Sequence, residues 1–244
     1  MEAKEISLWG CLAVTLFLGV IVPRPGSALA NSPSLSSPAS DQKVGQTEEP
    51  FGLHRQAPDA RVFKKWSEVE TQIAKERKIL ADCRSALSPC PAAAVRFLAV
   101  IHAGDGRTAL ARIGTINRAV NMAIAYNTVA KSEGSARWST PLSTFASSRG
   151  LCADYAIAKL VALEEAGIRP ADLRIVIVHL TQGKDHAIVA IRYDGEWLIL
   201  DNRNLALITD ARMPRVVPLF DLGQTDHNGT LLFAAAGGDV PAGD

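Results

Sequence analysis

The sequence has no excess of either charge. Its 244 residues include 26 Lys and Arg against 25 Asp and Glu, which gives a formal net charge of +1. Proteins that bind nucleic acid usually have a strong basic excess, so this balance argues against nucleic acid as a partner. The sequence also has no internal repeat. Its 48% hydrophobic residues are typical of a globular protein, and its length permits one sizeable domain or two small ones, of which we expect one.

Long apolar runs are scarce as well. The run at residues 8–22 is short for a helix that spans a membrane. The small residues Ala28 and Ala30 follow it and fit the cleavage pattern of an exported protein. We therefore predict a signal peptide over residues 1–30. An uncleaved membrane anchor is the alternative, because the segment before the run is poor in positive charge.

Composition then divides the rest of the chain. Residues 31–60 are rich in Ser, Pro, Gln and Glu, and cannot bury enough apolar surface to offset the entropy of ordering. We predict a disordered linker over 31–60, one domain over 61–225 and a loose tail, rich in Gly and Ala, over 226–244.

Helical patterns occupy the first part of the predicted domain. The Ser67-x-x-Glu70 motif predicts a capped helix over 67–81. Pro91 suits the first turn of a second helix, and apolar periodicity predicts a third helix over 108–126. The third helix also contains polar residues that could support a site or face solvent, namely Asn117, Arg118 and Asn121.

Cysteine is rare, at four residues. Cys83 and Cys90 bracket a short turn-forming spacer, and the sequence offers no further metal ligands nearby. In an exported protein, such a pair is expected to form a disulfide. Because Cys11 falls in the predicted signal peptide, Cys152 would then be the single unpaired thiol of the mature chain, and an unpaired thiol in an oxidising compartment is a candidate reactive group.

Cys152 follows a glycine-bearing turn and begins a helical pattern. Gly150 precedes it by two positions, and residues 156–163 are almost entirely apolar. A cysteine in the first turn of a helix lies near unpaired backbone N–H groups and the positive end of the helix dipole, which both lower a thiol pKa. The alternative is a small buried apolar residue at a helix start.

Two apolar runs downstream predict an antiparallel hairpin. His186 opens the run 186–191, and Asp201 ends the run 197–200, with Asp194-Gly195 expected at the tip between them. Residues 186 and 201 would then stand at the open end of the hairpin. A carboxylate beside a histidine fixes its tautomer and stabilises the imidazolium, while the histidine can take a proton from a thiol.

Two further strands are predicted around this hairpin. Residues 173–180 alternate as a strand that contains His179, the rival to His186 as a base. The stretch 215–220 is expected to form an edge strand, where Pro218 would be tolerated.

The chain resembles the bacterial transglutaminase-like cysteine proteinases over residues 61–220. The resemblance depends on four motifs taken together, which are Trp138-Ser139-Thr140-Pro141, the run from Arg149-Gly150 through Cys152, Asp154 and Tyr155 to Lys159, Asp185-His186-Ala187, and Leu200-Asp201-Asn202. It implies an α+β fold with a papain-like, transglutaminase-like core in which N-terminal helices precede an antiparallel sheet.

By this resemblance, Cys152 is the nucleophile, His186 the general base and acid, and Asp201 the orienting carboxylate. The backbone N–H of Cys152 would donate into the oxyanion hole, and Gln182 is a polar candidate for the second donor. Residues expected to line or support the substrate cleft are Trp138, Gly150, Asp154, Tyr155 and Asn202. Trp138 could equally be a core or rim aromatic.

The chain departs from the family pattern beside the nucleophile. Related sequences usually read Gly-Asp-Cys-Glu-Asp-Tyr there, and the acids belong to a calcium site required for activity. Leu151 and Ala153 take those positions here, and Asp154 is the acid that remains. Calcium binds through six to eight oxygen ligands, several of them carboxylates. We therefore expect no firm cofactor, with calcium possible only by resemblance.

The predicted function is that of a periplasmic cysteine endopeptidase. Its partners would be a protein substrate, such as a large surface adhesin whose release disperses biofilm, and an inner-membrane regulatory receptor. Acyl transfer to an amine is an alternative, because a thioester on Cys152 would serve either reaction. A second alternative is a pseudoenzyme that serves as a periplasmic binding module.

Overall fold

A computed structural model describes residues 49–56, 60–86, 89–128, 137–213, 215–222, 224–225 and 231–235. The predicted signal peptide lies outside the described residues, as do most of the predicted linker and most of the predicted tail. The described helices are α1 (Ala60–Arg84), α2 (Ala92–His102), α3 (Ala109–Ala123), α4 (Pro141–Ser147) and α5 (Cys152–Glu165).

The strands follow the helices along most of the chain, which gives the predicted α+β architecture. Eight of the described strands are β1 (His54–Gln56), β4 (Leu173–Leu180), β5 (Lys184–Tyr193), β6 (Glu196–Leu200), β7 (Ile208–Thr209), β8 (Val216–Leu222), β9 (Gln224–Thr225) and β10 (Leu231–Ala235). Within the described residues they form one sheet of antiparallel neighbours in the order β1-β10-β8-β4-β5-β6-β7, with β9 paired to β10.

The main core lies between α5 and the sheet. Every residue from 154 to 163 of α5 is buried, because the helix has sheet on one side and helices on the other. Alternate residues of β5, such as Ala187, Val189 and Ile191, join this core. The residues between them, including Ile188, join a smaller cluster with Trp197 and Leu53. Each fully buried Val, Leu or Ile contributes about 1.5–3 kcal/mol.

The first helix is longer than predicted. It begins at Ala60, so Ser67 lies inside the helix and the predicted capping box is wrong. The carbonyl of Ser67 accepts a hydrogen bond from the hydroxyl of Thr71, as an interior residue can. The second helix and the Cys83–Cys90 disulfide are confirmed, and the disulfide joins the end of α1 to the start of α2.

The third helix is shorter than predicted. It ends at Ala123, and Ala125–Tyr126 forms a short strand, β2, which pairs in parallel with β3 (Arg149–Gly150). Pairing with a distant segment overrides local helical periodicity here. This strand pair lies next to the start of α5, because β3 ends two residues before Cys152.

The hairpin is confirmed and the edge strand is not. Asp194 and Gly195 both have positive φ values, 52° and 82°, as a tight turn between β5 and β6 requires. The predicted edge strand is β8, which instead lies between β4 and β10. Pro218 is tolerated there because it lies where the β4–β8 register shifts, a position that does not need a regular ladder hydrogen bond.

The sheet extends beyond the predicted domain bounds of 61–225. Strands β1 and β10 lie outside those bounds at opposite ends of the chain, and they pair with each other. Strand β1 is polar and gives no signal in the composition, whereas the apolar run of β10 is a signal that the Gly- and Ala-rich composition of the whole tail obscures. Among the described residues, no helix is both long enough and apolar enough to cross a membrane.

Candidate active site

Cys152 is the first residue of α5 and is half-buried. Leu151 takes the N-cap position in an extended conformation, although its side chain has no acceptor. Asp154 makes the other contact of a capping box, because its Oδ2 accepts the backbone N–H of Leu151 at 2.8 Å. The turn that presents the thiol is therefore held by a carboxylate three residues further on, as in half of a capping box.

Gly150 is required by close approach. A Cβ at this position would lie 2.9 Å from Cβ of Asp154 and 3.3 Å from Cγ2 of Thr144. The side chains of Asp154 and Thr144 would have to move to admit any larger residue. The glycine of the predicted motif is thus explained by packing against Asp154.

Asp154 also fixes the loop that contains Trp138. Its Oδ1 accepts the backbone N–H of Ser139 at 2.7 Å, so both carboxylate oxygens are used. Burial raises the pKa of Asp154, and the bonds from Leu151 and Ser139 oppose that rise. Trp138 is half-buried and packs edge-on against Trp66 of α1, with ring centroids 6.3 Å apart.

The same loop is held from the other side by α1. Glu76 accepts hydrogen bonds from the Thr140 hydroxyl and, at 2.9 Å, from the backbone N–H of Leu142. These groups are at the N-terminus of α4, which Glu76 caps from outside. Sequence patterns gave no indication of this cap, because 64 residues separate Glu76 from Thr140.

Tyr155 anchors the chain beside Cys152. Its hydroxyl donates to the backbone carbonyl of Ile124, immediately before β2. Asn127, which directly follows β2, donates its backbone N–H to the carbonyl of Gly150 at 2.9 Å. These bonds fasten the end of α3 to the turn that delivers Cys152.

His186 and Asp201 meet at the open end of the hairpin. Nε2 of His186 lies 2.9 Å from Oδ1 of Asp201, and both side chains are buried, with 5% and 9% of their surface exposed. This contact leaves Nδ1 of the imidazole for Cys152, with whose thiol His186 also interacts. The structure thus brings the three residues of the predicted triad together.

Asp201 has further partners that the sequence analysis missed. Arg203 donates its backbone N–H at 2.9 Å and its guanidinium at 2.7 Å to the carboxylate. Asn121 donates its side-chain amide to the backbone carbonyl of Asp201 at 3.1 Å, so the suggested supporting role of this residue has a structural basis. Burial opposes the charge, yet the hydrogen bonds from His186 and Arg203 hold the pKa of Asp201 well below its usual range.

The electrostatics favour a thiolate beside an imidazolium. Burial raises the pKa of the Cys152 thiol, but the hydrogen bond with His186 and those from the backbone N–H groups of Ala187 and Ala153 outweigh burial and lower it. Burial likewise disfavours the charged imidazole, yet the bonds with Asp201 and Cys152 raise the pKa of His186. Each shift moves the pair toward the ionised form.

His179 has a different environment. Its Nδ1 lies 2.8 Å from Oδ1 of Asp185, and both side chains are largely exposed. The histidine that contacts Cys152 is therefore His186, as the sequence motif predicts.

Two supporting residues have less defined surroundings. Asn202 is half-buried, and its Oδ1 has no hydrogen-bond partner among the described residues. Gln182 is exposed in the turn between β4 and β5, where it lines a cleft of about 360 Å³ together with Asp201 and Arg203. Because Cys152 does not line this cleft, the role of Gln182 in an oxyanion hole stays a prediction.

Comparison with known families supports the predicted relationship. The sequence profile of the family described as "Bacterial transglutaminase-like cysteine proteinase BTLCP" matches residues 82–212, more than half of the chain. The chain belongs to this family. No curated protein sequence is significantly similar to it.

Solved structures of Legionella pneumophila LapG have a similar fold. One is 22% identical in sequence, with a TM-score of 0.52, and the match covers 67% of this chain and 88% of LapG. Calcium-bound LapG is 19% identical, with a TM-score of 0.51 over 67% of this chain and 92% of LapG. At these identities the likeness concerns the fold alone.

The residues beside Cys152 do not fit calcium. Leu151 and Ala153 offer no side-chain oxygen, and both oxygens of Asp154 already accept backbone N–H groups. No group of three or more His, Cys, Asp or Glu residues with metal-binding geometry occurs in the part of the chain that the structure describes. A hard cation that needs six or more oxygens lacks a ligand set at this turn.

Proposed function

We propose that this protein is an exported cysteine endopeptidase that uses Cys152, His186 and Asp201. The observation that supports it best is the contact of one buried imidazole with both the Asp201 carboxylate and the Cys152 thiol. Membership of the cysteine proteinase family agrees with this chemistry.

In the proposed mechanism, the Cys152 thiolate attacks the carbonyl carbon of a peptide bond. Negative charge develops on the carbonyl oxygen, and the backbone N–H of Cys152 at the start of α5 donates to it; such a donor is typically worth about 3 kcal/mol. The His186 imidazolium gives its proton to the leaving nitrogen, the C–N bond breaks, and a thioester forms. His186 then takes a proton from water, whose oxygen attacks the thioester and releases the acid product and the thiol. Asp201 keeps the imidazole oriented throughout.

The proposed substrate is a protein, and by resemblance to the family it is a large surface adhesin whose cleavage releases cells from a biofilm. The proposed location is the periplasm, reached by means of the signal peptide at residues 1–30, with an inner-membrane receptor as regulator. The Cys83–Cys90 disulfide supports an oxidising compartment, since such bonds persist there.

We also propose that the enzyme works without calcium. The Asp154 carboxylate holds the nucleophile turn and the Trp138 loop by direct hydrogen bonds, while Leu151 and Ala153 replace the acids of the family pattern. Hydrogen bonds within the chain therefore hold this turn, where relatives are expected to use a cation.

The rate of alkylation of Cys152 by iodoacetamide, from about pH 4 to about pH 9, tests the proposal directly. We expect a thiol pKa below its ordinary value of about 8.5, which the His186→Ala substitution raises, and a profile that a calcium chelator leaves unchanged. A thiol that titrates like free cysteine in both proteins would contradict the enzyme and favour a binding module. If the thiol is reactive, adding a primary amine with the peptide substrate distinguishes hydrolysis from acyl transfer by the mass of the product.

A further inference from the structure

A buried lysine lies on the same helix as the predicted nucleophile. Lys159 follows Cys152 by about two turns of α5, and only 1% of its surface is exposed. Its Nζ has no hydrogen-bond partner among the described residues. Burial of an amine without a partner costs free energy, and the mechanism proposed above does not use this side chain.

Three buried amide oxygens also lack partners within the described residues, namely Oδ1 of Asn117, Asn121 and Asn202. Their other contacts place them in one region. Asn121 donates its amide to the carbonyl of Asp201, and Asn117 donates to the carbonyl of Leu205 at 3.4 Å. Asn202 is adjacent to Asp201 in the chain. The three asparagines therefore lie where α3 meets the segment 201–205.

Lys159 reaches the same region from α5. Helices α3 and α5 pack against each other, and the amine interacts electrostatically with Asp201. An ammonium group has three donors and no acceptor, whereas the amide oxygens are acceptors that lack a donor. Burial lowers the pKa of Lys159 to about 7, and the charge of Asp201 opposes this shift. Internal water can bridge such groups, because the site offers both donors and acceptors.

We propose that Lys159 is a positioning residue that acts through Asp201. It belongs to a buried polar cluster that fixes the segment 201–205 against α3, and the other members of this cluster are Asn117, Asn121 and Asn202. Through this segment, the cluster sets the direction of the carboxylate that contacts His186. The inference depends on the proposed function, in which Asp201 orients His186.

The substitution Lys159→Met tests this inference, because it keeps the length of the side chain and removes its donors. We expect the alkylation rate of Cys152 at about pH 6 to fall roughly tenfold, since small displacements of an orienting group are costly. The pKa of His186, measured by NMR, should fall as its contact with Asp201 loosens. The melting temperature should stay the same or rise, because a buried amine without a partner is removed.

Leu163→Met is the matched control, a conservative change in the core of the same helix. It should leave both the alkylation profile and the His186 pKa unchanged. If Lys159→Met also leaves them unchanged, or if it raises the His186 pKa, then Lys159 does not position Asp201. A lower melting temperature with an unchanged alkylation profile would assign it a purely structural role and overturn the proposal.

A second variant keeps the test decisive if Lys159→Met does not fold. Asn117→Leu removes a cluster member whose amide contacts Leu205, away from the carboxylate itself, and it should slow alkylation in the same direction. When both variants fold, the double variant should raise the activation free energy of alkylation by less than the sum of the two single effects, because both substitutions disrupt one network. Full additivity would contradict the cluster. His186→Ala serves as the reference: if this change does not alter alkylation, the proposed function fails, and not merely the role of Lys159.

Discussion

His186 and Asp201 are in contact although they are not opposite each other in the β5–β6 ladder. The ladder pairs Val189 with Leu200, so one further step would place Asp201 opposite Ile188. His186 is then the diagonal neighbour on the same face, within reach of a side chain of its length. The 2.9 Å contact between Nε2 and Oδ1 follows from this register.

Asp201→Asn should uncouple the imidazole from its charged partner while it preserves shape. The carboxylate raises the pKa of His186, so its loss should lower that pKa toward or below the ordinary value and raise the pKa of the Cys152 thiol. We expect kcat/KM on a peptide substrate to fall by roughly two to four orders of magnitude. NMR titration of His186 and the pH profile of alkylation measure the two shifts, and unchanged profiles would contradict the assigned role.

Gly150→Ala should destabilise the protein through overpacking. The added methyl group would meet Cβ of Asp154 at 2.9 Å, and such insertions typically cost about 1–3 kcal/mol. Gly114→Ala is the control, because a Cβ there has its nearest neighbour at 3.8 Å, and alanine is favoured over glycine inside a helix by about 1 kcal/mol. Chemical denaturation of both variants measures the difference, and equal stabilities would contradict the close approach.

Glu70 should make the fold less stable as pH rises. Burial raises its pKa to about 7 from an ordinary value of 4.5, so between these pH values the folded state holds a proton that the unfolded state has released. The contribution of protonated Glu70 to the free energy of unfolding is fully present below about pH 4.5 and is lost as pH rises through about 7. Glu70→Gln should therefore raise the melting temperature at about pH 8 and change it little at about pH 4. An equal effect at both values would show that the pKa of Glu70 is not shifted.

Calcium should have no effect on the wild-type protein. We expect the same melting temperature and the same Cys152 alkylation rate with calcium as with EGTA, because the turn lacks a ligand set. In the double variant Leu151→Asp with Ala153→Glu, the family's acids are restored and calcium should raise the melting temperature. A calcium response in the wild type would contradict the proposal that the enzyme works without calcium. This result would leave the triad untouched, since the readouts are separate.

The sequence predicts secondary structure well where neighbouring residues determine it. The short apolar run within residues 173–180 and the Asp194-Gly195 turn specify β4 and the β5–β6 hairpin, and these elements place His186 near Asp201. Gly150 and Cys152 could be placed at a helix start for the same reason. Short-range patterns of this kind need no knowledge of the rest of the chain.

Contacts between distant segments could not be predicted in this way. The β2–β3 pair replaces the expected last turn of the third helix, and Glu76 caps a helix that begins far along the chain. Arg203 is an intermediate case. It follows Asp201 by two positions in a turn, and a basic residue so close to a predicted orienting carboxylate is a signal that could have identified it.

Most of α1 lies outside the family match, which begins at residue 82, yet α1 contacts the loop and helix beside Cys152. A fragment limited to residues 82–212 would lose Glu76 and Trp66, and with them the groups that cap α4 and pack against Trp138. It would also lose β8, so that β4 would become a bare edge with unpaired backbone groups on its outer side. The geometry around Cys152 thus depends on segments outside the family match, and shortening the chain to residues 82–212 would remove contacts that hold the Trp138 loop and α4 beside it.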